Sequence, residues 1–268
     1  MEDLKYWIWF SRIENLGSIK GQKLIEKYHS PKEIWKLRKE ELESIEGIGE
    51  KISNEILSEK YRYGLEKIEE ILKQGQIKLV NFQEEVYPQK LKNIYDMPIC
   101  LYVKGNIQIL NEFSLAIIGC RDNTEYGMKV AQAIGKGLAK KNIITVSGLA
   151  RGIDSVSQKA TIEAKGRTIA VIGSGIDSIY PPENSNLADE IVKCGGAIVS
   201  EYLPRSKAKR MNFPARNRII SGLSDGVIVI EAKNKSGTMT TVDFALEQGK
   251  AVFAIPRKYY KQGIRGNK

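Results

Sequence analysis

Four stretches of the chain combine glycine, hydroxyl side chains and basic residues in a way suited to holding phosphate oxygens. In the first, Ile117-Ile118-Gly119-Cys120-Arg121-Asp122-Asn123-Thr124, an apolar run ends at Gly119 and a helical pattern begins near Thr124. Free backbone amides at that helix start, with Arg121 beside them, would offer an anion both dipoles and a planar cation. The second, Ser147-Gly148-Leu149-Ala150-Arg151-Gly152-Ile153-Asp154, brackets Arg151 between glycines and ends on an aspartate placed to cap the next helix. An arginine in such a loop points to an anion. The third, Gly173-Ser174-Gly175 running on to Tyr180-Pro181-Pro182, is a lone Gly-x-Gly. Tyr180 before two prolines reads as a packing residue more readily than as a base-stacking ring. The fourth, Glu231 to Thr238, closes on Ser236-Gly237-Thr238, which again presents hydroxyls and amides.

A fifth segment differs in kind. Between Leu203 and Leu223 lie Arg205, Lys207, Lys209, Arg210, Arg216 and Arg218, with no acid among them and with Phe213 and Asn217 interleaved. Cations, a ring and an amide are what a single nucleic-acid strand requires: charge for phosphates, a π-face for bases, an amide for base edges. The whole chain leans the same way. Its 268 residues hold 42 Lys plus Arg against 32 Asp plus Glu, a net charge of +10, which favours polyanions, nucleic acid first and membrane surfaces second.

Other chemistries find little support. His29 is the single histidine, and Cys100, Cys120 and Cys194 form no C-x-x-C pair, so no metal site is expected and a reducing, cytoplasmic setting fits better than a disulfide framework. Neither Gly-x-Gly-x-x-Gly nor a Walker Gly-Lys-Ser/Thr occurs, so no dinucleotide cofactor or triphosphate hydrolysis is implied. No apolar run reaches a membrane span, and the acidic start Met1-Glu2-Asp3 is unlike a secretory signal.

The elements that must position these loops follow from periodicity. Short apolar runs at Ile77–Phe82, Ile99–Val103, Leu115–Gly119, Ile143–Val146, Thr168–Ile172, Ala197–Ser200, Val227–Ile230 and Ala251–Ile255 read as strands. Amphipathic stretches Glu125–Lys140, Asp154–Lys165, Asn184–Cys194, Pro214–Ser221 and Met239–Gln248 alternate with them as helices. This predicts βαβ units and an α/β fold, a doubly wound, mainly parallel sheet with its loops at the strands' carboxyl ends. Residues 1–74 instead show helical spacing throughout, predicting a small all-helical N-terminal domain, with a boundary near Gln74-Gly75-Gln76 and the sheet domain at 75–268. Within it, Ile45-Glu46-Gly47-Ile48-Gly49-Glu50-Lys51-Ile52, weakly echoed at Asn15–Lys20, resembles a helix-hairpin-helix motif. Either DNA contact or a packing or protein-docking role fits it, and the flanking Glu46 and Glu50 weigh against phosphate.

Taken together, the loops resemble the DprA (Smf) family of DNA-processing proteins of bacterial natural transformation. The likeness runs through Gly119-x-Arg121 with Tyr126-Gly127, Ser147 to Asp154, Gly173 to Asp177 with Tyr180-Pro181 and Asn184, Ser200-Glu201-Tyr202 with Pro204, Phe213 to Ser224, and Glu231-Ala232 with Ser236-Gly237-Thr238. It spans roughly residues 75 to 256, and the helical N-terminus is similar to the sterile-alpha-motif-like or helix-hairpin-helix extension of many members. The resemblance implies an extended Rossmann core that binds single-stranded DNA, as a homodimer, helps load the recombinase RecA in transformation and recombination, and is not an enzyme. It also implies that Arg121, Arg151 and the backbones of Gly148, Gly152 and Gly237 line a phosphate pocket. The expected DNA- and phosphate-binding set is thus Gly119, Arg121, Ser147, Gly148, Arg151, Gly152, Phe213, Arg216, Asn217, Arg218, Ser236, Gly237 and Thr238, with contact or bracing both open for Arg216, Asn217 and Arg218. Three features depart from the pattern. Gln158 stands where members often carry histidine, Arg257 follows Pro256 in place of glycine, and Gly266-Asn267-Lys268 precedes the remaining core and the winged-helix domain of some members.

A rival reading is a phosphoribohydrolase of the lysine-decarboxylase-like (LOG) type, which uses Pro-Gly-Gly-x-Gly-Thr followed by paired acids. Here Thr240 and Thr241 stand where the acids belong, and acid–base chemistry needs an ionisable group there. A third reading is a module that senses a small phosphate ligand or nucleotide in the same pocket.

Overall fold

The computed structural model describes residues 3–233 and 236–256. Features expected at Met1-Glu2, at Asn234-Lys235 in the fourth loop and from Arg257 to Lys268 lie outside the described residues.

Seven short helices open the chain: α1 (Leu4–Ser11), α2 (Gly17–Tyr28), α3 (Pro31–Trp35), α4 (Lys39–Glu43), α5 (Glu50–Leu57), α6 (Glu59–Arg62) and α7 (Leu65–Gln74). Sequence fixes several of their ends. Ser30 accepts the Glu33 N–H ahead of Pro31, and Gly17, Gly47 and Gly64 take positive φ at the turns into α2, the hairpin and α7. In the hairpin, Glu50 pairs with Lys39 at 3.0 Å and Glu46 with Lys23 at 3.8 Å, so these acids face neighbouring helices' cations.

Eight strands then form one sheet in the order β1-β2-β6-β5-β4-β3-β7-β8. They are β1 (Ile77–Asn81), β2 (Cys100–Gly105), β3 (Ser114–Gly119), β4 (Ile144–Ser147), β5 (Thr168–Ile172), β6 (Ala197–Ser200), β7 (Gly226–Glu231) and β8 (Ala251–Ala254). From β6 to β8 every neighbour is parallel; β1 and β2 join as an antiparallel hairpin at the β6 side. The crossover helices are α8 (Glu125–Lys140), α9 (Ile153–Glu163), α10 (Ser185–Lys193), α11 (Asn212–Leu223) and α12 (Gly237–Glu247). This is the doubly wound α/β architecture that the alternating pattern predicts.

Side-chain alternation sends successive strand residues to opposite faces. One face buries Leu101, Val103, Ile169, Val171 and Val199 with Ile219, Ile220 and Leu223 of α11. The other buries Tyr102, Ala170, Ile172 and Ile198 in one continuous core with Trp7, Ile8, Trp9, Phe10 and Leu24 of the N-terminal helices. α7 ends at Gln74 and β1 begins at Ile77, yet the core does not stop between them. Ser11 Oγ and the Tyr102 hydroxyl lie 2.8 Å apart, Gln22 Nε2 donates to the Met97 carbonyl at 2.9 Å, and Ile99 packs against Gly21 with no room for a Cβ.

The chain runs outward from β3 through β4, β5 and β6, then returns to β3's other side with β7 and β8. The strand order therefore reverses between β3 and β7, which places a crevice at their carboxyl ends. Among the described residues no helix is long and apolar enough to cross a membrane.

Candidate nucleic-acid interface

A cavity of ≈ 640 Å³ opens at this reversal point, between the loops after β3 and β7 and the start of α11. It gathers eight of the thirteen expected residues: Gly119, Arg121, Phe213, Arg216, Asn217, Ser236, Gly237 and Thr238. A small slot beside it adds Gly148 and Arg151, while Ser147, Gly152 and Arg218 line neither.

The rim brings one cation and two rings together. The guanidinium of Arg121 lies over the Phe213 ring, 5.5 Å from its centroid, and the Tyr180 ring sits 5.6 Å from Phe213 at an interplanar angle of 48°. Tyr180 is 44 % exposed. The sequence weighed this tyrosine as a packing residue; it packs, but against Phe213 and with a face on the cavity. Arg210 and Lys233 also reach the cavity, and Lys233 faces Asp122 at 3.4 Å across the β3–β7 crevice.

Below the rim, the arginines of the Phe213–Ser224 stretch turn inward. α11 is buried on nearly every side, so side chains that a charge run would leave in solvent lie under the sheet's end. Arg216, 4 % exposed, donates to the carbonyls of Gly148 at 2.8 Å and of Val171, and its Nε reaches Asn217 Oδ1 at 3.2 Å. Asn217 in turn donates to the Gly237 carbonyl at 3.0 Å, tying α11 to the first turn of α12. Arg218, 5 % exposed, grips Glu201 through two nitrogens at 2.7 and 2.9 Å and Asp96 at 2.8 Å. Of the two roles left open for these three residues, these contacts are those of bracing.

The loop after β4 is built on the same arginine. Gly148 sits between Asp154 and Arg216, and a Cβ there would fall 2.6 Å from Asp154 Oδ2 and 2.8 Å from Arg216 Nη2. Asp154 was expected to cap α9; instead Gly152 is the N-cap, and Asp154 accepts the Gly148 N–H at 3.1 Å. Burial pushes the Asp154 carboxyl above its usual range against the pull of Arg216, and burial lowers Arg216 to about 10 against the pull of Asp154. Ser147 is likewise internal, donating to the Ile117 carbonyl at 2.6 Å. Gly152 serves close packing at φ +79°, where a Cβ would collide with the carbonyl oxygens of Cys120 and Arg121.

The start of α8 departs from expectation. Its amides are not open: Thr124 Oγ1 accepts the Gly127 N–H at 3.1 Å, and the Thr124 N–H donates to Glu231 Oε2 at 2.9 Å. A protein carboxylate from the end of β7 occupies the anion position the sequence offered to phosphate. Burial, with Glu231 beside it, raises the Cys120 thiol above its usual value and keeps it protonated. The start of α12 is different. Gly237 is exposed with nothing near its α-carbon, and the N-cap Ser236 makes no capping bond. Thr238 and Thr241 line the cavity, and among the described residues only Asp122 and Asp154 bring carboxyl groups to it.

The family model for DNA recombination-mediator protein A matches residues 78–268. Among curated proteins, the chain is 46 % identical over 181 residues to the DNA processing protein DprA of Bacillus subtilis, covering 67 % of this chain and 61 % of that one. It is 35 % identical over 265 residues to protein Smf of Synechocystis, covering 97 % of this chain and 66 % of that one. The chain thus spans less than two thirds of the length of each of these relatives. Among solved structures, DNA processing protein A of Streptococcus pneumoniae superposes with a TM-score of 0.79 at 33 % identity, covering 96 % of this chain and 88 % of that one. The Helicobacter pylori counterpart, solved for its single-stranded DNA binding mode, gives 0.63 at 31 % identity, covering 69 % of this chain and 83 % of that one.

Proposed function

The chain belongs to the DNA recombination-mediator protein A family, and from that membership we propose that it binds single-stranded DNA in the cavity between β3 and β7. The observation that carries this reading is the rim of Arg121, Phe213 and Tyr180, where one cation lies over a ring and a second ring tilts against it at the mouth of a basic crevice. Rings take bases of any sequence, while Arg121, Arg210, Lys233 and the open start of α12 take phosphates. Arg216 anchors α11 to β5 and the loop after β4, Arg218 anchors it to Glu201 and Asp96, and Asn217 ties it to α12, and together these fix the walls of the crevice. A recessed site of this kind admits a flexible strand more easily than a stiff duplex. The Helicobacter pylori relative's single-stranded DNA binding mode supports the same ligand class here.

In this reading the protein is a binder and not an enzyme. It acts in the cytoplasm as a homodimer that protects incoming strands in transformation and hands them to RecA. The LOG-type reading is weaker because Thr240 and Thr241 stand where it needs paired acids, and Thr241 lines the cavity.

The test is fluorescence anisotropy with a labelled oligonucleotide, single-stranded and duplex, at several salt concentrations. Tight binding of the strand with a steep salt slope is expected. Equal, shallow binding of both forms would overturn the reading in favour of a small phosphate ligand.

A further inference from the structure

Two protein carboxylates occupy anion positions beside the cavity, and they are held differently. Glu231 is fixed at the start of α8 by the Thr124 N–H at 2.9 Å, the Thr124 hydroxyl at 3.3 Å and the Cys120 thiol at 3.7 Å. Glu183 touches one partner, the Nε of Arg151, and both side chains are at least half exposed. Among the described residues that carboxylate is also the only hydrogen-bond partner of Arg151. Its placement is nonetheless built in. The turn Pro182–Asn184 is tied to the Arg151 loop by Asn184 Nδ2, which donates to the Leu149 carbonyl at 2.9 Å. Arg151 itself borders the slot shared with Arg121, Tyr180 and Phe213, on the path a strand stacked on those rings would follow.

We infer that Glu183 is an exchangeable internal stand-in for a DNA phosphate on Arg151, a carboxylate that a strand's backbone displaces on binding and that sets the affinity of the site. This rests on the reading of the cavity as a single-strand site. The chemistry is an exchange of one oxyanion for another on a fixed guanidinium, with no covalent step. An exposed ion pair in water is weak enough to be exchanged by a phosphate delivered at high local concentration. While it holds, it neutralises Arg151 and lowers the cost of leaving the site empty. A strand therefore gains less from Arg151 than from a bare cation, and releases fewer counterions.

The experiment is a double-mutant cycle in the full chain, with Glu183→Gln, Arg151→Ala and the two combined. Binding of a labelled single-stranded oligonucleotide is measured by anisotropy across salt. Glu183→Gln is expected to tighten binding by about two- to fivefold at low salt, the worth of one exposed pair. It should also steepen the salt slope toward the ~0.7 contributed by one further phosphate contact. In the Arg151→Ala background the same substitution should change nothing. Tightening that persists without Arg151 would mean simple repulsion by a nearby charge and overturn the inference. Unchanged or weaker binding by Glu183→Gln, with the parent binding normally, overturns it as well and leaves the site reading intact. Failure of the parent to bind the strand overturns both.

Discussion

The carboxylate of Glu231, at the end of β7, accepts the backbone N–H of Thr124 at 2.9 Å and so closes the start of α8, one strand away. On the same two elements, the Cys120 N–H donates to the Glu231 carbonyl at 2.8 Å, so side chain and backbone of one residue hold the loop that carries Arg121. Replacing Glu231 by alanine should cost about 1–2 kcal/mol, the worth of a favourable charge at a helix start, and glutamine should cost less. Urea denaturation measures both; equal stabilities of the parent and both variants would show the clamp to be idle.

Arg121 and Phe213 should fail in distinguishable ways. Phe213→Ala removes a stacking face, which is worth about 1–3 kcal/mol of strand affinity, with the salt slope unchanged. Arg121→Ala should weaken binding and lower the slope by about 0.7. Arg121→Lys keeps the charge but loses the planar, forked guanidinium over Phe213, so affinity should fall while the slope holds. Anisotropy titrations at three salt concentrations separate these outcomes.

Arg216 should matter to folding before it matters to DNA. Truncation to alanine leaves Asp154 buried beside unpaired carbonyls of Gly148 and Val171, a loss of about 3–5 kcal/mol, read by thermal or urea unfolding. Asp154 adds a pH signature. Its carboxyl is raised on folding, by burial first and with Arg216 opposing. A group raised on folding favours the native state at low pH, and that contribution is lost as pH climbs from about 4 through the folded value. The stability of the parent relative to Asp154→Asn should therefore fall across this window. A difference that rises with pH would contradict the burial of the charge.

Gly152→Ala should deform the Arg121 loop. The position holds φ +79° and ψ −132°, a region essentially closed to other residues, and a Cβ would overlap the carbonyls of Cys120 and Arg121. A cost of about 2 kcal/mol or more is expected, together with weaker strand binding although Gly152 does not line the cavity. A variant of parental stability and affinity would remove this account of the glycine.

Strand and helix periods made the sheet legible: Thr168–Ile172, Ala197–Ser200 and Glu125–Lys140 are found with their expected bounds. The site was legible as a set of loops because a parallel sheet brings its carboxyl ends together wherever the strands lie. Burial was not. Arg216 and Arg218 share a run with Lys207 and Lys209, and nothing in the spacing tells which cations turn inward; that depends on α11 being covered by the sheet, α12 and the Gln89–Asn93 turn. The filling of the α8 start by Glu231 depends on a contact 107 residues away in the chain, beyond the reach of any local motif. The partner of Tyr180 was not legible for a related reason: the ring packs as expected, but on Phe213, which arrives from a different crossover.

The core that Trp9, Phe10 and Leu24 share with Tyr102 and Ile198 has a thermal consequence. A helical cap linked by a flexible tether would melt as a separate event, ahead of the sheet. Here the same side chains belong to both halves, so loosening α1 exposes the face of β2 and β6. Heating should produce a single calorimetric transition, with the helices and the crevice lost together.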